Sequence, residues 1–205
     1  MAERTDALRL AETLAAKLCH DLSGPIGSLN QALELAAADL PADNAAFTLA
    51  RQAAAELAGR LRWRRVAWSP DGPALDIAGL RALGMEPRME LDLSGVPATA
   101  VFAPPMARAL MNLLLLAHDS LPRGGRIALS GSARDVFIAI DGLKAAWPAG
   151  LSQCLSDDRE SMAELTDPRA LQMPLTVMIV RDLGLRLSML LGTGPGVPPL
   201  RLSES

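Results

Sequence analysis

Residues 14–25 read LAAKLCHDLSGP. Leu14, Leu18 and Leu22 recur every fourth position, His20 stands between two of them, and Gly24 and Pro25 follow where an ordinary helix would avoid both. The apolar spacing continues outward through Ile26, Leu29, Leu33 and Leu40 at intervals near three and four, which predicts one long helix with one buried stripe. Thr5 or Asp6 is placed to cap its start and Pro41 to end it. Asp43-Asn44 then signals a second helix through Phe47, Ala50, Ala54, Leu57, Leu61 and Trp68, which stops at Ser69-Pro70-Asp71-Gly72-Pro73. Residues 1–70 therefore read as an antiparallel helical hairpin. At about 1.5 Å per residue the first helix extends about 50 Å, and two helices alone leave part of each apolar stripe uncovered. A second copy across a two-fold axis would cover it, so a homodimer with an intermolecular four-helix bundle is expected.

His20 is two residues from both Leu18 and Leu22, and at about 100° per residue this turns it about 200° from each, away from the stripe. It should face solvent. Ser23, Gly24, Gly27 and Gln31 are assigned to the same outer face, where small or polar side chains leave room for a docking protein. Each helical glycine costs roughly 1 kcal/mol relative to alanine, and Pro25 frees the carbonyl of Asp21. A tolerated kink would explain these costs, and so would a surface kept clear beside a nucleophile. Asp21 can accept or deliver the proton on one imidazole nitrogen while the other attacks. The plainer reading is an ordinary surface histidine with an adjacent acid.

Among 205 residues half are hydrophobic but only 3% aromatic, so the core must be built from aliphatic side chains. A net charge of -3 and a pI near 5.4 argue against a nucleic-acid binder, which needs a basic footprint. Proteins are the expected partners. MAERTDALRL lacks the pattern of a secretory signal, and the richest apolar run, Ala109 to Ala117, falls well short of the roughly 20 residues of a membrane span. Cys19 and Cys154 form no CxxC or Cys/His cluster, so neither disulfide nor metal is expected, and a reducing cytoplasm fits.

Residues 71–205 change to a mixed pattern. A helix is expected over Leu75–Leu83, a strand over Arg88–Leu93 and a strongly apolar helix over Pro104–Leu121. Strands follow at Arg126–Ser132 and Val136–Asp141, then a weak helix at Pro148–Leu155 and an acidic, mobile loop at Ser156–Asp167. A helix from Pro168 to Leu183 precedes a hairpin of Arg186–Leu191 and Pro199–Ser203, turning at Gly192–Gly196. This alternation fits an α+β layer sandwich. His118-Asp119 repeats the His-Asp pair inside the very apolar helix, where a packed or capping role is expected. Arg60, Arg62, Arg64 and Arg65 sit where a helix C-terminus favours cations, and Arg64 and Arg65 are candidates for contacting an acidic partner.

Cys19-His20-Asp21-Leu22-Ser23-Gly24-Pro25, on the first helix of a hairpin preceding an α+β domain, resembles the H-box of two-component histidine kinases. Leu14 to Asp21 with Pro25-Ile26-Gly27 and Leu33-Glu34-Leu35 is similar to the ChpT family of bacterial histidine phosphotransferases, as is the run Ala50-Arg51-Gln52 through Leu61-Arg62 and Trp68. The resemblance implies a dimer of DHp-like hairpins, each followed by a degenerate histidine-kinase ATPase-like (Bergerat-type) α/β sandwich. His20 would be the phosphoacceptor and Asp21 its catalytic neighbour, exchanging phosphoryl groups with response-regulator receivers, a hybrid kinase receiver among them. The implied cofactor set is empty, with Mg²⁺ belonging to the receiver. Asn112 to Asp119 with Pro122, Gly124 and Gly125 resembles a kinase N-box, but Leu116 replaces its second asparagine. Ile140-Asp141-Gly142-Leu143-Lys144-Ala145 stands where DxGxG would bind adenine, and no ATP lid is evident, so ATP binding is not expected. Gly24 stands where kinases often carry Thr or Asn for phosphatase work, so that activity is not assigned. An autophosphorylating kinase and a noncatalytic dimeric adaptor or pseudokinase scaffold that binds a receiver are the competing readings.

Overall fold

Helix α1 runs from Ala2 to Ala36 and passes through Pro25 without ending. Its start leaves Thr5 and Asp6 inside the helix rather than at a cap. The computed structural model describes residues 2–37, 44–84, 88–156, 170–190 and 196–204, so the expected features at Leu40, Pro41 and Asp43 lie outside the described residues. Helix α2 spans Ala45–Trp68, and its cap is Asn44, whose Oδ1 accepts the Phe47 N–H at 3.0 Å. It ends where the Ser69 N–H donates to the Arg65 carbonyl.

The two helices pack on each other within a compact unit of residues 1–69. In the single chain the apolar positions of α1 divide between two faces. Helix α1 buries Leu8, Cys19 and Ile26, whereas Leu14, Leu18, Leu22 and Leu29 are 48–56% exposed. Cys19 and Ile26 lie on average about 70° around the helix from the Leu18–Leu22–Leu29 line. One partner helix covers only one of these two faces.

The second unit, residues 70–205, carries the mixed structure. Leu75–Asp76 (β1) pairs antiparallel with Val101–Phe102 (β3). The helix expected from Leu75 begins only at Ile77, because Asp76 caps α3 (Ile77–Ala82) by accepting the Gly79 N–H at 2.6 Å. The main sheet has five strands in the order β2-β4-β5-β7-β6: Met89–Gly95, Gly125–Ser132, Asp135–Asp141, Leu200–Glu204 and Leu185–Met189. Only β2 and β4 run parallel; the other neighbours are antiparallel. Ile127, Leu129, Val136, Ile138, Ile140, Leu200 and Leu202 alternate along the strands and form its buried face.

Helix α4 (Pro104–Asp119) carries prolines in its first turn, and every residue from Met106 to Ala117 is buried. A helix apolar all round belongs in an interior, and α4 packs on the sheet and on α6 (Gln172–Asp182). The weak helix is α5, Leu151–Ser156. The acidic loop beyond Ser156, the helix start at Pro168, and Gly192 to Pro195 lie outside the described residues. No helix among the described residues is long and apolar enough to cross a membrane.

Candidate functional site

Three faces of α1 organise the site. One turns Cys19 and Ile26 inward, a second exposes the leucines, and the third carries His20, whose side chain is 84% exposed. At about 100° per residue, Lys17, Gly24, Gly27 and Gln31 all fall within about 60° of His20. Gly24, Gly27 and Gln31 are exposed, and a Cβ added at either glycine would meet nothing within 4 Å. Packing inside the chain therefore requires neither glycine. Gln31 shares the face but lies eleven residues, ~16 Å, further along the axis.

Ser23 lies at the edge of this face, about 60° from His20. It is half-buried, and its hydroxyl donates to the Cys19 carbonyl at 2.6 Å. Three residues turn it about 300°, toward the inward side, where back-bonding to the i−4 carbonyl satisfies the hydroxyl.

Asp21 brings two partners together. Its Oδ2 accepts from Lys17 Nζ at 2.8 Å, and its Oδ1 lies 3.5 Å from His20 Nδ1. The Lys17 hydrogen bond, with smaller contributions from the Lys17 charge and from His20, holds the Asp21 carboxyl below its ordinary value. The carboxylate is thus charged at neutral pH and faces Nδ1. Sequence reasoning missed Lys17, although its spacing of four from Asp21 was the available signal.

The C-terminal half of α2 lies beside this turn of α1. Burial raises the Cys19 thiol, while the positive charges of Arg64 and then Arg65 pull it the other way. Arg64 is partly buried, with its guanidinium 5.9 Å from the Trp68 ring centroid and a long hydrogen bond to the Arg60 carbonyl; Arg65 is exposed. Arg60 pairs with Glu56 at 2.6 Å. Arg64 and Arg65 accordingly place positive charge near the helix turn that carries His20.

The second unit has less chemistry to offer. His118 is partly buried in the last turn of α4, with Nδ1 3.3 Å from Asp119 Oδ1. Asn112 is fully buried: its Nδ2 donates to the Arg108 carbonyl at 3.0 Å, and its Oδ1 lies 3.3 Å from Gln172 Nε2. Leu116 lies in the core. An open hollow of about 440 Å³ between the β5–α5 connection and the β6–β7 hairpin is lined by Trp147, Pro148, Leu151, Met189 and Val197, with no charged side chain among the described residues. No group of three or more His, Cys, Asp or Glu able to hold a metal occurs among the described residues.

Comparison with known proteins follows this geometry. Residues 78–193 match the model of the histidine phosphotransferase C-terminal domain. Protein phosphotransferase ChpT of Brucella abortus (strain 2308) is 27% identical over 193 residues, covering 89% of this chain and 90% of that protein. The structure of a bacterial phosphotransferase at 1.7 Å is similar in fold, with a TM-score of 0.60 at 21% identity, covering 98% of this chain and 96% of that one. The family match spans more than half of the sequence, and the chain belongs to the histidine phosphotransferase family.

Proposed function

We propose that His20 is the phosphoacceptor of a phosphorelay, taking a phosphoryl group from the aspartate of one response-regulator receiver and passing it to that of another. The observation that carries this reading is the exposed imidazole on a cleared helix face, with an ionised Asp21 beside Nδ1. In the forward step Nε2 bonds to phosphorus, the bond to the receiver's aspartyl oxygen breaks, and its electron pair leaves with the carboxylate. The Nδ1 proton remains on the ring, facing Asp21. The reverse step loads the next receiver, a hybrid kinase's receiver being one candidate partner. The receiver brings Mg²⁺; this chain contributes position and charge.

The working form in this reading is a cytoplasmic homodimer. Exposed Leu14, Leu18, Leu22 and Leu29 form a ridge that a second copy would cover in a four-helix bundle. Gly24, Gly27, Gln31, Arg64 and Arg65 would meet the receiver, with the arginines facing its acidic site. The second unit is read as a Bergerat-type kinase domain without its nucleotide. Asn112, which resembles the N-box asparagine, is committed to Arg108 and Gln172, and Leu116 offers no oxygen to Mg²⁺.

The test is transfer from a radiolabelled phospho-receiver to the full chain. His20→Ala and His20→Gln should stay folded and carry no acid-labile label. Label persisting on either variant would overturn the assignment, and a wild type that binds receivers yet never takes label would favour the noncatalytic adaptor.

A further inference from the structure

Lys17 lies three residues before His20 and four before Asp21, so one turn of α1 gathers all three on the outer face. The carboxylate divides its oxygens: Oδ2 meets the Lys17 ammonium at 2.8 Å and Oδ1 stands 3.5 Å from His20 Nδ1. Helix stability alone accounts poorly for this pair. Exposed pairs four apart contribute about 0.3–0.5 kcal/mol, and the better orientation puts the acid before the base, the reverse of Lys17–Asp21. An unheld aspartate would rotate among several rotamers and face Nδ1 only part of the time. With one oxygen tied to the ammonium, the other is directed at the ring.

We propose that Lys17 is a positioning residue for phosphotransfer, pinning Asp21 so that the His20 proton stays on Nδ1 and the Nε2 lone pair is free to attack phosphorus. The idea rests on His20 being the phosphoacceptor. When Nε2 bonds to phosphorus the ring becomes cationic, and the fixed carboxylate at Nδ1 faces that developing charge without reorganising. The ionic strengthening of Asp21 by Lys17 points the same way, since it keeps the carboxylate charged.

The experiment compares full-length wild type, Lys17→Gln and Lys17→Arg. Each is labelled with ¹⁵N-histidine to read the His20 tautomer by NMR, and each is assayed for label taken from a phospho-receiver. Lys17→Gln should shift His20 away from the Nδ1–H tautomer and slow transfer about tenfold, the low end of the loss that follows when the partner orienting a metal-bound histidine is removed; Lys17→Arg should restore both. A glutamine variant with unchanged tautomer overturns the proposal whatever its rate, and so does an arginine variant as impaired as glutamine. A wild type that takes no label on His20 instead removes the phosphoacceptor reading itself, which the assay shows independently of either variant.

Discussion

The side-chain amide of Gln172 on α6 lies 3.3 Å from both the backbone oxygen and the Oδ1 of Asn112 on α4. Thr176 joins the cluster, its hydroxyl 2.7 Å from the Gln172 carbonyl and 3.3 Å from the Asn112 carbonyl. A buried polar cluster of this kind stabilises only while its members are paired. Asn112→Ala should therefore cost about 1–3 kcal/mol, the usual penalty for stranding buried partners, seen as a lower urea midpoint at unchanged slope. Calorimetry with Mg-ATP should show no binding heat in either form.

Gly24 and Gly27 should behave as functional rather than structural glycines. Open space surrounds both, so Gly24→Ala and Gly27→Ala should each stabilise the chain by up to about 1 kcal/mol. The same variants should take phosphate from a receiver more slowly, because the added methyls occupy the surface the receiver approaches. Thermal melting and transfer kinetics measured on one preparation check both halves.

The exposed ridge on α1 should hold two copies together. Leu18→Glu or Leu22→Glu, at sites half exposed in the single chain, should leave helix content intact and shift the mass in multi-angle light scattering from dimer to monomer. A mass unchanged by either charge would rule out this ridge as the interface.

Lys144 adopts a φ of 64°, a left-handed conformation, in the turn after β5. Side chains with a Cβ pay for that conformation and glycine does not. Lys144→Gly should raise stability by about 0.5–1 kcal/mol, net of the added freedom of the unfolded chain, measured by urea denaturation.

Arg201 on β7 grips Asp135 on β5 with two hydrogen bonds of 2.8 Å. That hydrogen bonding holds the Asp135 carboxyl below its ordinary value of 3.8. The group binds protons more weakly folded than unfolded, so its contribution is complete above that ordinary value and is lost as pH falls through the lowered one. Asp135→Asn should reduce stability near neutral pH and flatten its acid dependence below about pH 4, followed by denaturation at a series of pH values.

Much of the architecture was legible because its signals are local. Leu–Xaa₃–Leu spacing marked α1, Asn44 and Ser69-Pro70 bounded α2, and the alternation in Arg126–Asp141 marked β4 and β5. The short strands β1 and β3 were not legible, since two-residue pairs carry no period and arise only when residues 75 and 102 meet. The exposure of His20 was readable because helical geometry fixes which face it takes. The bond from Ser23 to the Cys19 carbonyl was not legible, since a hydroxyl can turn to its own helix or to solvent, a choice that composition does not reveal. The Lys17–Asp21 pair was not read from the sequence because lysine on an outer face ordinarily means solvation; only the shared carboxylate distinguishes it. The division of the leucines from Cys19 and Ile26 needed the second helix to show which flank it occupies.

The leucine ridge and the His20 imidazole lie on nearly opposite sides of one helix. A second chain seated on the ridge and a visitor reaching the imidazole therefore do not compete for space. In a dimer seated on that ridge, assembly and loading would be independent events, and a pair of chains would serve two visitors at once without either waiting for the other to leave.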